Sequence, residues 1–166
     1  IEQLGRLDIL VNNAAVFASG TLEETDPSRW EETLRVNLTA PFLLARAAAP
    51  ALRAAGGRIV NLCDICTARP WPAYLAYCIS KAGLEALTRG LARELAPRVN
   101  VVGVAPGVAA WPEDFEDSVR EKLTARIPLG RAGRPEEIAE AVHFVLREGD
   151  YITGAILPVD GGRSIR

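Results

Sequence analysis

Two apolar stretches decide the fold, GRIVNLCD at residues 57–64 and VNVVGV at residues 99–104. Each is short, rich in β-branched side chains and bounded by glycine or polar residues, which is the pattern of a buried strand in a parallel sheet. The segment between them shows the apolar spacing of one helix face, at Leu84, Leu87, Leu91 and Leu95. The order strand, helix, strand predicts an α/β fold with parallel strands.

Three side chains of this unit are able to move protons. Asp64 lies at the carboxyl end of the first strand, the edge at which open α/β sheets bind ligands. Tyr77 and Lys81 are four positions apart, so they share one face at the start of the helix. A cation held beside a phenol lowers its pKa from about 10 and favours proton exchange near neutral pH. Taken alone, the pair is more typical of an ordinary helix surface than of an active site, so the surrounding sequence decides.

A second long helix is predicted over residues 27–54, with Asp26 as its N-cap. The expected buried stripe consists of Trp30, Leu34, Leu38 and Phe42. Pro41 has no N–H for the carbonyl four residues back, that of Asn37. We therefore expect a local distortion and a carbonyl free to bind a water or the Lys81 ammonium. The alternative is a plain proline kink whose carbonyl is wetted by bulk solvent.

Five ordered landmarks make the chain resemble the short-chain dehydrogenase/reductase family over essentially its whole length. In chain order they are Asn12-Asn13-Ala14-Ala15, Asn37, Tyr77 with Lys81, Pro106-Gly107, and Ile152-Thr153-Gly154 followed by Val159-Asp160-Gly161-Gly162. The resemblance implies a Rossmann-type doubly wound parallel sheet and hydride transfer with a nicotinamide cofactor. The residues that it assigns to cofactor binding are Asn13, Ala14, Tyr77, Lys81, Pro106, Gly107 and Val108.

The resemblance also implies a role for each catalytic residue. Tyr77 is the proton donor, Lys81 binds the nicotinamide ribose and lowers the tyrosine pKa, and Asn37 supports a water relay. The chain departs from the family at Asp64, where most members carry a serine that donates a hydrogen bond to the substrate carbonyl. A carboxylate cannot donate to a ketone unless it is protonated, so Asp64 argues against ordinary ketone chemistry.

An acid at this position suits a nitrogen heterocycle, in which a ring nitrogen takes a proton as hydride reaches the neighbouring carbon. The pteridine reductases and the related dihydromonapterin reductases carry Asp in this place, and that branch implies a pterin-like substrate and NADPH. Phe17 is then the ring that stacks on the pterin, and Tyr74, Trp111 and Arg166 are further substrate contacts. The alternatives are packing roles for Phe17 and Tyr74, a plain surface loop at Trp111 and a solvated terminus at Arg166.

The composition excludes several other classes. With 166 residues, 49% apolar content and a formal net charge of −2, the chain suits one domain and lacks the basic footprint of a nucleic-acid-binding protein. Its apolar runs are too broken for a membrane span or a signal peptide, so we expect a cytoplasmic protein. Cys63 and Cys66 would need two more ligands to hold zinc, and we predict no metal site. His143 is the single histidine, which disfavours a hydrolytic triad.

Two expectations concern the whole protein. No glycine-rich phosphate-binding loop occurs in the sequence, and by the family pattern residues 7–12 are the fourth strand of the sheet. We therefore expect residues 1–166 to be a single domain, the carboxyl-terminal two-thirds of the family fold without its first three strands. The resemblance further implies a homotetramer or a dimer, paired through the helices at about residues 27–54 and 74–96.

Three functions follow as hypotheses. The first is an NADPH-dependent reductase of a dihydropterin, with Tyr77 and Asp64 as proton donors. The second is a reductase of the same family that acts on a carbonyl or an imine. The third is a pseudoenzyme or assembly subunit that keeps the fold but has lost the cofactor loop. Under each of the three hypotheses, residues 1–166 alone can be inactive.

Overall fold

A computed structural model describes residues 5–111 and 115–165. Its centre is a sheet of four parallel strands in the order β1, β2, β3, β4. The strands are β1 (Ile9–Asn12), β2 (Arg58–Leu62), β3 (Asn100–Pro106) and β4 (Ile156–Val159). The predicted α/β fold with a Rossmann-type parallel sheet is confirmed. β1 lies at one end of the strand order, where Ile9 and Val11 are exposed.

Helices connect the strands and cover the sheet. They are α1 (Pro27–Leu34), α2 (Ala40–Ala55), α3 (Leu75–Leu95), α4 (Asp117–Thr124) and α5 (Pro135–Glu148). Asp26 caps α1 as predicted, because its carboxylate accepts the backbone N–H of Arg29 at 2.9 Å. None of the helices within the described ranges has the length and apolar character needed to cross a membrane.

The two faces of the sheet bury alternate residues of the same strands. Ile59 and Val101 pack against α2 and α3, whereas the next residues, Val60 and Val102, pack against Val145 of α5. Each of these side chains is at most 2% exposed, and full burial of one such side chain stabilises the fold by about 1.5–3 kcal/mol. Burial on both faces explains why β2 and β3 are continuous apolar runs.

The distortion predicted near Pro41 is present as a π-helical turn, Arg35–Thr39, between α1 and α2. The N–H of Ala40 donates to the carbonyl of Arg35, five residues back, instead of the usual four. Asn37 lies in the middle of this turn and is buried. The free carbonyl that we expected at Asn37 stays a prediction.

The buried stripe predicted for this helical segment is wrong by one position. Between residues 27 and 45 the buried residues are Thr33, Asn37, Pro41 and Ala45. The predicted residues Trp30, Leu34 and Leu38 are only half-buried, and Phe42 is 45% exposed. Small and polar side chains therefore face the interior, and Phe42 joins Leu43 and Leu44 on an exposed apolar surface of α2.

The close contact at Gly57 makes it the best test of the packing at the start of β2. A Cβ at this position would lie 2.5 Å from the carbonyl oxygen of Asp8, a backbone atom that cannot move aside. We expect Gly57→Ala to destabilise the protein by about 1–3 kcal/mol in urea unfolding. The matched control is Gly90→Ala in α3, where a Cβ meets no atom within 4 Å. That change should stabilise by about 0.5–1 kcal/mol, and equal effects of the two substitutions would contradict this packing.

Candidate active site

The candidate active site lies at the carboxyl end of the sheet, where Asp64 and Tyr77 meet. Asp64 follows β2, and its Oδ1 accepts the backbone N–H of Cys66 at 2.7 Å, which caps a short 3-10 turn. Tyr77 lies in the first turn of α3, and its hydroxyl donates to Oδ2 of Asp64 at 2.8 Å. A strand end and a helix start thus hold a phenol and a carboxylate in direct contact.

The phenol of Tyr77 is a weaker acid here than in water. It is 6% exposed, and this burial raises its pKa. The negative charge of Asp64 and the hydrogen bond from Tyr77 to Asp64 raise the pKa further. The lowering of this pKa that we expected from Lys81 is therefore not found, because burial and Asp64 act in the opposite direction. At neutral pH the phenol keeps its proton.

Lys81 is buried beside the tyrosine, with its Nζ 5.7 Å from the centre of the Tyr77 ring. Its ammonium donates to the carbonyl of Leu62 at 2.7 Å, so its acceptor is the end of β2 and not the carbonyl of Asn37. Burial lowers its pKa, and the charge of Asp64 partly offsets this. An ammonium carries three donors, and Leu62 is the one acceptor found for it among the described residues. The other donors are available to ligand hydroxyl groups.

Asn37 ties the loop after β1 to α3. Its Oδ1 accepts the N–H of Val16 at 2.8 Å, and its Nδ2 donates to the carbonyl of Val16 and to Oγ of Ser80, both at 3.0 Å. Because Asn37 is 1% exposed, losing these bonds would leave buried polar groups unpaired. The structure gives Asn37 a positioning contact, and its part in a water relay stays a prediction.

Aromatic rings form one wall of the site. Phe17 stacks on Tyr74 with ring centroids 4.7 Å apart, and it meets the ring of Tyr77 edge-on at 4.8 Å. Trp71 lies nearly perpendicular to both Phe17 and Tyr74. Such a wall favours a flat or apolar substrate skeleton beside the Tyr77 hydroxyl.

A cavity of about 690 Å³ opens over these groups. The predicted residues that line it are Phe17, Asp64, Tyr74, Tyr77, Gly107, Val108 and Trp111. Among the residues of the cavity that were not predicted as site residues are Trp71, Phe115, Arg126 and Arg163. Two of these had a usable signal, since Trp71 stands between prolines and Arg163 follows two glycines, in loops at the ligand-binding edge. Arg166 lies outside the described residues.

The residues predicted to hold the cofactor lie along the same edge of the sheet. Asn13 and Ala14 are exposed directly after β1. Pro106 is the last residue of β3, and Gly107 and Val108 come directly after it. A Cβ at Gly107 would lie 2.8 Å from the Cα of Asp160, so the segments after β3 and β4 pass close to each other here. Because parallel strands end together, these segments share their edge with Tyr77 and Lys81.

The three cysteines lie behind the site as free, buried thiols. Burial raises the pKa of Cys63 to about 12, and burial and the charge of Asp64 raise the pKa of Cys66. Among the described residues there is no group of three or more side chains able to hold a metal ion. Thiols that keep their protons pack as small apolar groups, which is the role of Cys63 and Cys66 here.

Comparisons with known proteins cover the whole chain. A family model described as enoyl-(acyl carrier protein) reductase matches residues 1–164. The chain is 36% identical over 173 residues to trans-4-hydroxycyclohexanecarboxylate dehydrogenase of Sinomonas cyclohexanicum, covering 99% of this chain and 63% of that protein. It is 35% identical over 167 residues to the 3-oxoacyl-(acyl-carrier-protein) reductase FabG of Thermotoga maritima, covering 98% and 68%.

A solved structure gives the same result for the fold. The apo SCOR enzyme from Clostridium thermocellum superposes with a TM-score of 0.89 at 37% identity, covering 99% of this chain and 65% of that one. The chain therefore spans 63% to 68% of the length of these proteins.

Replacing Asp64 by asparagine is expected to lower the pKa of Tyr77, because the substitution removes the negative charge that disfavours the phenolate. Tyrosinate absorbance in a pH titration measures this, with Tyr74 and Tyr151 replaced by phenylalanine to isolate one signal. Glu85→Gln is the control, since it removes a carboxylate of α3 that does not contribute to the pKa of Tyr77. An unchanged titration in Asp64→Asn would show that burial alone governs the phenol.

Proposed function

The chain belongs to the short-chain dehydrogenase/reductase family, and we propose that the full-length protein reduces a carbonyl or imine group of a small molecule with a nicotinamide cofactor. The observation that carries this proposal is the buried Tyr77 hydroxyl, which keeps its proton and faces the cavity beside Asp64. Because this phenol is protonated at neutral pH, it has a proton to give to the oxygen or nitrogen of a substrate during reduction. Relatives named for an oxoacyl group and for a hydroxycyclohexane favour a carbonyl over a pterin.

The cofactor side of the proposal rests on the residues at the same edge. A bound nicotinamide would supply the hydride. The residues available to hold it are Asn13, Ala14, Tyr77, Lys81 and Pro106–Val108. The donors of Lys81 that have no acceptor among the described residues support this assignment, because ribose hydroxyl groups would satisfy them. NADPH, rather than NADH, is proposed from the family resemblance alone.

The proton path follows from the hydrogen bond between Tyr77 and Asp64. As the carbonyl carbon receives hydride, its oxygen gains the electron pair and takes the proton of Tyr77. The Lys81 ammonium, 5.7 Å from the ring centre, stabilises the phenolate that remains. Asp64 is only half-buried, whereas Tyr77 is buried. We therefore propose that Asp64 takes a proton from solvent and passes it to the phenolate along the 2.8 Å hydrogen bond between the two residues.

A dihydropterin is the second candidate substrate, and one observation favours it. Asp64 stands where most of the family has serine, and its carboxyl group accepts the hydroxyl of Tyr77, the tyrosine whose ring Phe17 meets edge-on. In such a substrate the carbon would receive hydride while Tyr77 and Asp64 supply the proton to the adjacent nitrogen.

We also propose that two copies pair through α2 and α3, as a homodimer or as part of a homotetramer. Five large apolar side chains on these helices are 41% to 52% exposed, namely Phe42, Leu43, Leu44, Leu75 and Ile79. Exposed apolar side chains of this size favour burial against a second protein surface.

Tyr77→Phe is expected to reduce turnover by about 100- to 10,000-fold, because phenylalanine has no proton to give. The assay follows oxidation of NADPH and NADH by the full-length protein with 4-oxocyclohexanecarboxylate, an acetoacetyl thioester and cyclic ketones and imines. Tyr151→Phe, at an exposed tyrosine outside the cavity, should keep the parent rate. If the unaltered protein turned over none of these substrates and no pterin, the pseudoenzyme hypothesis would replace the proposal.

Asp64→Ser separates the two candidate substrates by the sign of its effect. A serine hydroxyl donates to a carbonyl, so a carbonyl reductase should keep its ketone rate within roughly tenfold or gain activity. A pterin reductase should lose about 100-fold or more, because the acid beside the ring nitrogen is gone. The measurement compares dihydrobiopterin, dihydromonapterin and dihydrofolate with the ketones, and circular dichroism confirms that the variant is folded. Turnover of pterins but not of ketones by the parent would establish the second candidate.

A further inference from the structure

Two arginines, Arg126 and Arg163, line the main cavity on the side of Trp71. The same three residues also line a second cavity of about 410 Å³, which neither Tyr77 nor Asp64 reaches. Both arginines therefore border the cavity of the reacting pair and a second space that neither Tyr77 nor Asp64 lines. The reductase mechanism above uses neither arginine.

Arg163 is held in place both at its backbone and at its guanidinium. Asp160 accepts the backbone N–H of Gly162 at 2.9 Å and that of Ser164 at 2.6 Å, which fixes the turn that carries the arginine. The guanidinium carbon lies 5.4 Å from the centre of the Trp71 ring, within the range of a cation–π contact. A guanidinium stacked in this way keeps the N–H donors in its plane for a planar anion.

Neither arginine is in direct contact with a carboxylate in the part of the chain that the structure describes, although the charges of Asp64 and Asp160 act on Arg163 from farther away. The ion pairs there involve neither Arg126 nor Arg163. Burial lowers the pKa of Arg163. The charge of Asp64 raises this pKa, and the like charge of Arg126 lowers it. Arg163 is partly removed from water and Arg126 is exposed, and an anion that accepts hydrogen bonds from both would offset their mutual repulsion.

We propose that Arg163 and Arg126 bind a carboxylate of the substrate while its carbonyl carbon faces Tyr77. The proposal rests on the reductase function above and narrows its substrate class to oxo acids whose carboxylate is separated from the carbonyl. A planar guanidinium fork matches the two oxygens of a carboxylate. The negative charge of Asp64 beside the Tyr77 hydroxyl repels a carboxylate placed there, which favours the orientation with the carboxylate at the arginines.

The kinetic test compares 4-oxocyclohexanecarboxylate with its neutral methyl ester in the full-length protein. Arg163→Gln should raise KM for the acid by roughly 10- to 100-fold, the loss expected for hydrogen bonds to a charged group, with a smaller change in kcat. KM for the ester should stay within about threefold. Arg98→Gln is the matched control, since it removes the same charge at an exposed residue just before β3, at the opposite edge of the sheet. Arg163→Lys should be intermediate, because it keeps the charge without the planar fork.

A binding measurement keeps this proposal separate from the reductase function. Calorimetric titration with cyclohexanecarboxylate and cyclohexanecarboxamide needs no turnover, and thermal melting shows whether each variant is folded. Tighter binding of the acid that is lost in Arg163→Gln and kept in Arg98→Gln supports the carboxylate subsite, even if no carbonyl compound is reduced. Equal binding of acid and amide, or acid binding unchanged by Arg163→Gln, overturns it.

Discussion

The contact between Tyr77 and Asp64 constrains the candidate site more than any other interaction. Both oxygens of the Asp64 carboxylate accept a hydrogen bond, one from the backbone of Cys66 and one from the tyrosine hydroxyl, so the group has one orientation. It thereby fixes the turn after β2 against the first turn of α3. The rings of Phe17 and Tyr74 pack around this junction. The cavity in front of the proton donor is lined by these rings.

Periodicity and local chemistry were sufficient to predict most of the framework. The buried strands could be located because burial on both faces removes any polar alternation, as in Ile59 and Val60. The π-helical turn at Arg35–Thr39 could be located because a proline lacks its donor whatever its surroundings. The placement of Tyr77 and Asp64 in one site needed only the rule that parallel strands and their following helices meet at one edge, whereas their direct hydrogen bond was not predicted.

The predictions that were wrong depend on contacts between residues that are distant in the sequence. The buried stripe of α1 and α2 was misplaced because large apolar residues such as Phe42 lie outside, where pairing with a second copy would cover them. The acid strength of Tyr77 was misjudged because it depends on burial and on the exact neighbour of the phenol, Asp64, as much as on the lysine one turn away. Arg163 was overlooked because its partner Trp71 is distant in sequence.

The burial of the cysteines has a practical consequence for solution studies. All three thiols are free and enclosed, and the raised pKa values of Cys63 and Cys66 leave almost no thiolate at neutral pH. Alkylating reagents and maleimide dyes attack the thiolate, so they will discriminate strongly against these positions in the folded protein. A single exposed cysteine introduced on a loop can therefore carry a fluorophore or spin label while the native cysteines stay in place.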